Sequence, residues 1–229
     1  MYYPFFDPTM LLLIPALLLA GWAQMRVKST FARYSQVRSQ RGITAAEVAR
    51  MLLDRFGLQA VSIDQVPGEL TDHYDPRNRT LSLSDSVYGN SSIAAIGVAA
   101  HEVGHAIQHS TGYVPLTLRN NIVPVVNLTS TLSMPLFLIG FLMRGTFMMN
   151  LGIALFLGVI VFHLITLPVE YNASSRAISI LSQTGALSGE ELNGASSVLH
   201  AAAWTYVASA LMSVLQLVRL LMLRNSSRN

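Results

Sequence analysis

Ile93-Ala94-Ala95-Ile96-Gly97-Val98-Ala99-Ala100-His101-Glu102-Val103-Gly104-His105 is the stretch from which the rest of this chain is read. Asn90-Ser91-Ser92 stands before it as a set of helix N-cap residues. No proline interrupts until Pro115, and Gly112 supplies a stop, so the stretch reads as one helix. Its eight-residue apolar run is far short of the ~20 residues a bilayer requires, which makes it a helix buried in protein. Two histidines four residues apart lie one above the other on a helical face. Their ring nitrogens can therefore share one ion at the ~2.0–2.1 Å that zinc takes from imidazole. Glu102 points roughly a quarter-turn away, where it can reach a water in an open coordination position. The bland alternative, two surface histidines, leaves Glu102 and the apolar setting unexplained.

The remainder of the chain is that of a membrane protein. Of 229 residues, 52% are hydrophobic and 12% charged, and mean hydropathy is +0.44. Such values lie outside the range of soluble domains. Cysteine is absent, so any zinc rests on histidine and carboxylate. Ten of the fifteen Lys and Arg fall between Arg26 and Arg119, a bias that speaks for membrane topology and not for nucleic acid. Residues 8–24 form a first apolar segment, with Asp7 before it and Arg26, Lys28, Arg33, Arg38 and Arg41 behind. The positive-inside rule puts the N-terminus outside and the segment carrying these five cations in the cytoplasm.

Residues 26–118 read as a soluble domain. Thr44-Ala45-Ala46-Glu47 is a capping box opening a helix to about Phe56, which Gly57 ends. Residues 61–66 suggest a strand. Asp75-Pro76-Arg77-Asn78 is turn chemistry. Thr80-Leu81-Ser82-Leu83-Ser84 alternates with period two and is expected to be a half-buried strand, placed where an extended substrate can add to a sheet. Residues 122–169 form a transmembrane hairpin around Arg144, and His163 within it is expected to hydrogen-bond a neighbouring helix. A cytoplasmic segment, 170–198, and a last apolar segment, 199–223, complete the chain. Four spans leave Arg224 and Arg228 outside, against the charge rule, so the last segment is read as transmembrane or interfacial. The fold class expected is a mostly α membrane protein with about four transmembrane helices and a zincin-like α+β juxtamembrane domain.

A catalytic zinc usually has three protein ligands. After Glu102 the only acids are Glu170, Glu190 and Glu191. The last two come after Ser188 and are explained as helix-start residues, with Glu191 at the capping-box position. Glu170 emerges where the hairpin returns to the face it left, which puts it on the same side of the membrane as His101 and His105. His109 is ~12 Å of helical rise from His101, too far for one ion. Thr111 stands where a metzincin would carry its third histidine, and the motif is not within a transmembrane run. A gluzincin arrangement with His101, His105 and Glu170 remains.

Leu70-Thr71-Asp72-His73-Tyr74-Asp75-Pro76, Ala99 to Gln108 and Glu170 to Ala177 together resemble the YugP-type membrane zinc metallopeptidases of bacteria, over nearly the full length. The arrangement also looks like the HtpX-type gluzincins, which carry an E-x-x-x-D ligand motif. This chain has Ser174 at the last position of that motif, where a hydroxyl can still orient a neighbouring ligand. The resemblance implies a multi-pass protein of the bacterial cytoplasmic membrane with its site facing the cytoplasm. The expected activity is zinc-dependent endopeptidase cleavage of a peptide or membrane-protein substrate, with one Zn2+ per chain and Glu102 as general base. His73, Tyr171 and Arg176 are candidates for stabilising the oxyanion. The competing expectation is a non-proteolytic membrane scaffold with a structural zinc, for which Glu102 would have no use.

Overall fold

The computed structural model describes residues 8–227; Asp7 and Arg228, which bear on the topology, lie outside them. The protein is mostly helical, with four helices long and apolar enough to cross a membrane and a small α+β part. A 3-10 turn, Pro8–Leu13, leads into α1 (Ile14–Ser35). Then come α2 (Ala45–Arg55), β1 (Ser62–Val66), β2 (His73–Asp75), β3 (Thr80–Ser84) and α3 (Ile93–Ser110). Three long helices close the chain: α4 (Val114–Leu142), α5 (Thr146–Thr184) and α6 (Glu190–Ser226). The chain divides into two compact units.

The first unit comprises residues 8–23, 118–167 and 204–227. Its helices leave large apolar side chains such as Leu17, Leu128, Leu138 and Leu164 exposed, as lipid-facing segments do. Close approach of α4 and α5 depends on Gly152, where a Cβ would lie 2.7 Å from both Ser133 O and Phe137 N. Arg219 Nε–H donates to Thr9 Oγ1 at 3.3 Å, which engages the charge within the last apolar segment. His163 makes no hydrogen bond to another helix among the described residues. It borders a cavity of about 410 Å³ with Ser209, Ser213 and Gln216; the two serine hydroxyls there bond their own helical carbonyls instead.

The second unit comprises residues 24–117 and 168–203. Its core joins Val48, Leu52 and Leu53 of α2, Leu81 and Leu83 of β3, Ile96 and Val103 of α3, and Leu181 of α5. The capping box forms: Thr44 Oγ1 accepts from Glu47 N–H, and Glu47 Oε2 accepts from Thr44 N–H at 2.7 Å. The sheet order is β1-β3-β2, with β1 parallel and β2 antiparallel to β3. Two expectations change here. β3 is the central strand and is buried on both faces, so it has no free edge for substrate; the edges belong to β1 and β2. Ser84 tolerates full burial because Asp72 accepts both its N–H (2.8 Å) and its Oγ–H (2.9 Å). β2 itself, being three residues long, gives no pattern from which a strand is expected.

Two long helices also run further than their apolar stretches. α5 passes through Pro168 and Glu170 without a break to Thr184, because an internal proline costs one hydrogen bond that the flanking turns and packing absorb. α6 begins at Glu190. Glu191 is not engaged as a capping-box residue there. Its Oε1 accepts from Gln40 N–H at 2.7 Å and ties the start of α6 to the loop before α2.

Candidate metal centre

Ser92 Oγ accepts from Ala95 N–H at 3.2 Å and starts α3, so His101 and His105 fall on adjacent turns of a helix gripped on most sides. Their rings meet edge to face at 4.7 Å between centroids. Opposite them stands Glu170 of α5. Its Oε2 lies 3.2 Å from His101 Nε2 and 3.6 Å from His105 Nε2. Two donors each ~2.05 Å from a tetrahedral zinc are ~3.3 Å apart, so the spacing fits that ion. The three donor atoms lie within 4.8 Å of one another, and the group can hold a metal. The donor types are also right for zinc: two imidazole nitrogens and one carboxylate oxygen.

Gly104, between the two histidines, makes this approach sterically available. A Cβ at that position would meet Ala173 O at 2.6 Å, a backbone atom that has no way to swing aside. The motif thus supplies two candidate ligands and also the gap into which the helix carrying Glu170 fits.

The imidazoles are oriented from behind. Gln108, fully buried, donates from Nε2 to Val169 O at 2.8 Å and to Asn172 Oδ1 at 3.0 Å. A backbone carbonyl only accepts, so the amide nitrogen must face it and Oε1 must face His105 Nδ1, 2.9 Å away. In its neutral form His105 therefore carries its proton on Nδ1, which leaves Nε2, on the Glu170 side, as the atom that can take a proton or a metal ion. Asn172 Oδ1 is held in turn by Arg176 Nε–H at 2.8 Å, while the Arg176 guanidinium sits 5.9 Å over the Tyr113 ring. Ser174 Oγ lies 3.1 Å from His101 Nδ1, in hydrogen-bond contact with that ligand candidate. Burial opposes protonation of His105, yet its contacts with Glu170 and the charge of Glu102 raise its pKa above the ordinary imidazole value.

Glu102 is buried, 8% exposed, and its carboxylate makes no hydrogen bond or ion pair among the described residues. Of the remaining candidates, His73 is exposed on β2 and its Nδ1 lies 2.9 Å from Thr71 O. Tyr171 is half exposed beside Glu170, and Arg176 is committed to Asn172. None of these three hydrogen-bonds the triad. His109 instead places Nδ1 2.9 Å from Tyr74 Oη. Gln108 and Asn172 are site residues that reading the sequence missed. The available signal was a glutamine three residues after His105, on the same face of an otherwise apolar helix.

Two imidazoles and a glutamate converging on one point, with a second glutamate alongside, define the class: the chain belongs to the family described as "Putative neutral zinc metallopeptidase", which matches residues 9–225. It is 50% identical over 218 residues to "Putative membrane protease YugP" of Bacillus subtilis (strain 168), covering 95% of this chain and 97% of that relative. No solved structure matches.

Proposed function

We propose that this protein is a zinc endopeptidase of the gluzincin type, with His101, His105 and Glu170 as ligands of one zinc per chain and Glu102 as general base. The observation that carries the reading is Glu170 Oε2 at 3.2 and 3.6 Å from the two Nε2 atoms, beside a buried Glu102 whose carboxylate no described residue hydrogen-bonds. When bound, zinc supplies Lewis acidity, which polarises a scissile carbonyl and makes a water more acidic. Glu102 takes a proton from the attacking water and returns it to the leaving amine as the peptide bond breaks. Gln108 and Ser174 keep the imidazoles from turning during this exchange, so that no reorganisation is required at the moment of reaction. Tyr171, exposed next to Glu170, is the candidate to donate to the oxyanion, ahead of His73, whose Nδ1 meets Thr71 O, and Arg176, whose Nε–H goes to Asn172 Oδ1.

Arg26, Lys28, Arg33, Arg38 and Arg41 come directly after the first span, which supports an N-terminus outside and a site at the cytoplasmic face of the bacterial inner membrane. The substrate is then a peptide segment or membrane protein presented from that side. The decisive experiment uses the full chain in detergent. Wild type should bind about one zinc and cleave an unfolded or membrane-protein substrate. Glu102→Gln should keep the zinc and lose at least about a hundredfold in turnover, whereas Glu170→Gln, His101→Ala and His105→Ala should lose the metal. Undiminished turnover by Glu102→Gln sinks the reading. Reporter fusions after Arg41 and Gln183 should read as cytoplasmic and one at Gly145 as external.

A further inference from the structure

A cavity of about 300 Å³ lies in the α+β unit between the loop after α2, the turn of β2 and the C-terminal half of α3. Leu58 and Val61 form its apolar wall; Tyr74, Arg79 and His109 supply its polar groups. Three observations give it a direction and a sign. First, Ala106 and Ser110 border it, and Ala106 is four residues beyond Glu102 on α3, hence one turn along the same helical stripe. One turn is ~6 Å of rise, about the advance of two residues of extended peptide at ~3.3 Å each. Second, no carboxylate lines it. Third, the Arg79 guanidinium makes no hydrogen bond or ion pair with any described residue; the Asp75 carboxylate accepts from Arg77 N–H and the Asn78 amide. Arg79, an exposed residue that borders the cavity, holds φ at 54°, a left-handed conformation that an arginine adopts only at a cost.

We propose that this cavity is a subsite that receives a carboxylate of the peptide, recognised by Arg79. The proposal rests on the peptidase reading for its context, and it extends that reading to a substrate class: peptides with an anionic group about two residues from the cleaved bond. The apolar wall accommodates a methylene stem, and the guanidinium meets the carboxylate head, a pair whose geometry is naturally bidentate. The carboxylate comes either from an acidic side chain or from the peptide's C-terminus.

The test is a binding measurement on the full-length Glu102→Gln protein in detergent, so that turnover does not interfere. The probes are fluorescent ten-residue Ala/Ser peptides bearing a single Glu or a single Gln, each with a free or an amidated C-terminus. The expected result is about fivefold tighter binding of the Glu peptide than the Gln peptide, as for a partly exposed ion pair. Arg79→Gly should abolish that preference while leaving the fold intact, since glycine adopts φ near 54° freely. Arg79→Lys should retain part of it. If tight binding tracks the free C-terminus and not the Glu, the terminal carboxylate is the ligand and the subsite still stands. A preference absent in the Arg79-intact protein, or unchanged in Arg79→Gly, overturns the proposal. Failure of the peptidase reading shows separately, as lack of turnover in protein that retains Glu102 while the carboxylate preference persists.

Discussion

Helices α3 and α4 are neighbours in the chain and are both strongly apolar, yet they use their apolar surface in opposite ways. Fourteen of the 18 residues of α3 are buried. In α4 only five of 29 are, and Val125, Leu128 and Leu132 stand exposed along it. Length decides the difference, since α3 begins with only eight apolar residues and cannot cross a bilayer, whereas α4 has enough to do so. α3 therefore satisfies its apolar face against protein, which makes it rigid and able to hold two imidazoles in register. α4 meets lipid, where a side chain has no fixed partner and precise geometry is not obtained. His101, Glu102 and His105 sit on the helix that protein encloses.

Breaking the enclosure of α3 should have the largest effect. Gly104→Ala sets a methyl 2.6 Å from Ala173 O, so α5 must withdraw and carry Glu170 with it. Zinc retention measured by elemental analysis should fall to background, whereas Gly89→Ala, whose Cβ meets open space, should keep its metal. A charge then separates the two helices by its consequence. Leu128→Arg in α4 should cost ~2.5–3.5 kcal/mol of membrane insertion, read by a glycosylation or protease-protection assay. Ile96→Arg in α3 should insert normally and unfold the α+β unit instead, seen as loss of protease resistance in that unit. If both block insertion, the division between buried and lipid-facing helices is wrong.

A subtler effect comes from the orientation of His105. Gln108→Leu removes the acceptor for Nδ1–H and the side-chain donor to Val169 O, while Asn172 Oδ1 keeps Arg176 Nε–H. Zinc affinity should fall about 10–100-fold in a chelator competition, with the fold retained. The smallest effect concerns the sheet. Burial raises the pKa of Asp72 above its ordinary value, although the hydrogen bonds from Ser84 oppose it. A raised carboxyl pKa means that the folded protein holds the proton more tightly than the unfolded chain. The corresponding stability is present below the unfolded pKa near 3.8 and is lost as pH rises through the folded value. Asp72→Asn removes that dependence, so the thermal stability of wild type relative to the variant should decline as pH is raised from about 4 towards neutrality. An unchanged difference across that range would refute the account of Asp72.

Much of the fold was legible in the residues alone. Thr44 and Ser92 announce their helices because a side-chain oxygen can satisfy an N–H only at a helix start. The four long apolar helices come from composition. Other features were hidden. β3 looked half-buried because alternation reports one face, and no local pattern reveals that strands pair with it on both sides. Glu191 looked like a cap because its partner, Gln40 N–H, is 151 residues distant. Gln108 looked like an ordinary helical glutamine, since its role depends on the backbone carbonyl of a residue 61 positions later.

By itself the sequence determined the helices, their apolar or polar character and the spacing of His101, Glu102 and His105, because these depend on interactions between residues a turn or two apart. Elimination among the downstream acids also nominated Glu170, but only the tertiary structure brought its carboxylate to 3.2 and 3.6 Å from the two imidazoles, made Gly104 the gap admitting α5 and set Gln108 Oε1 against His105 Nδ1. Those facts depend on which backbone lies within about 3 Å of which side chain across a helix interface, a distance that close packing sets and that chain order leaves open.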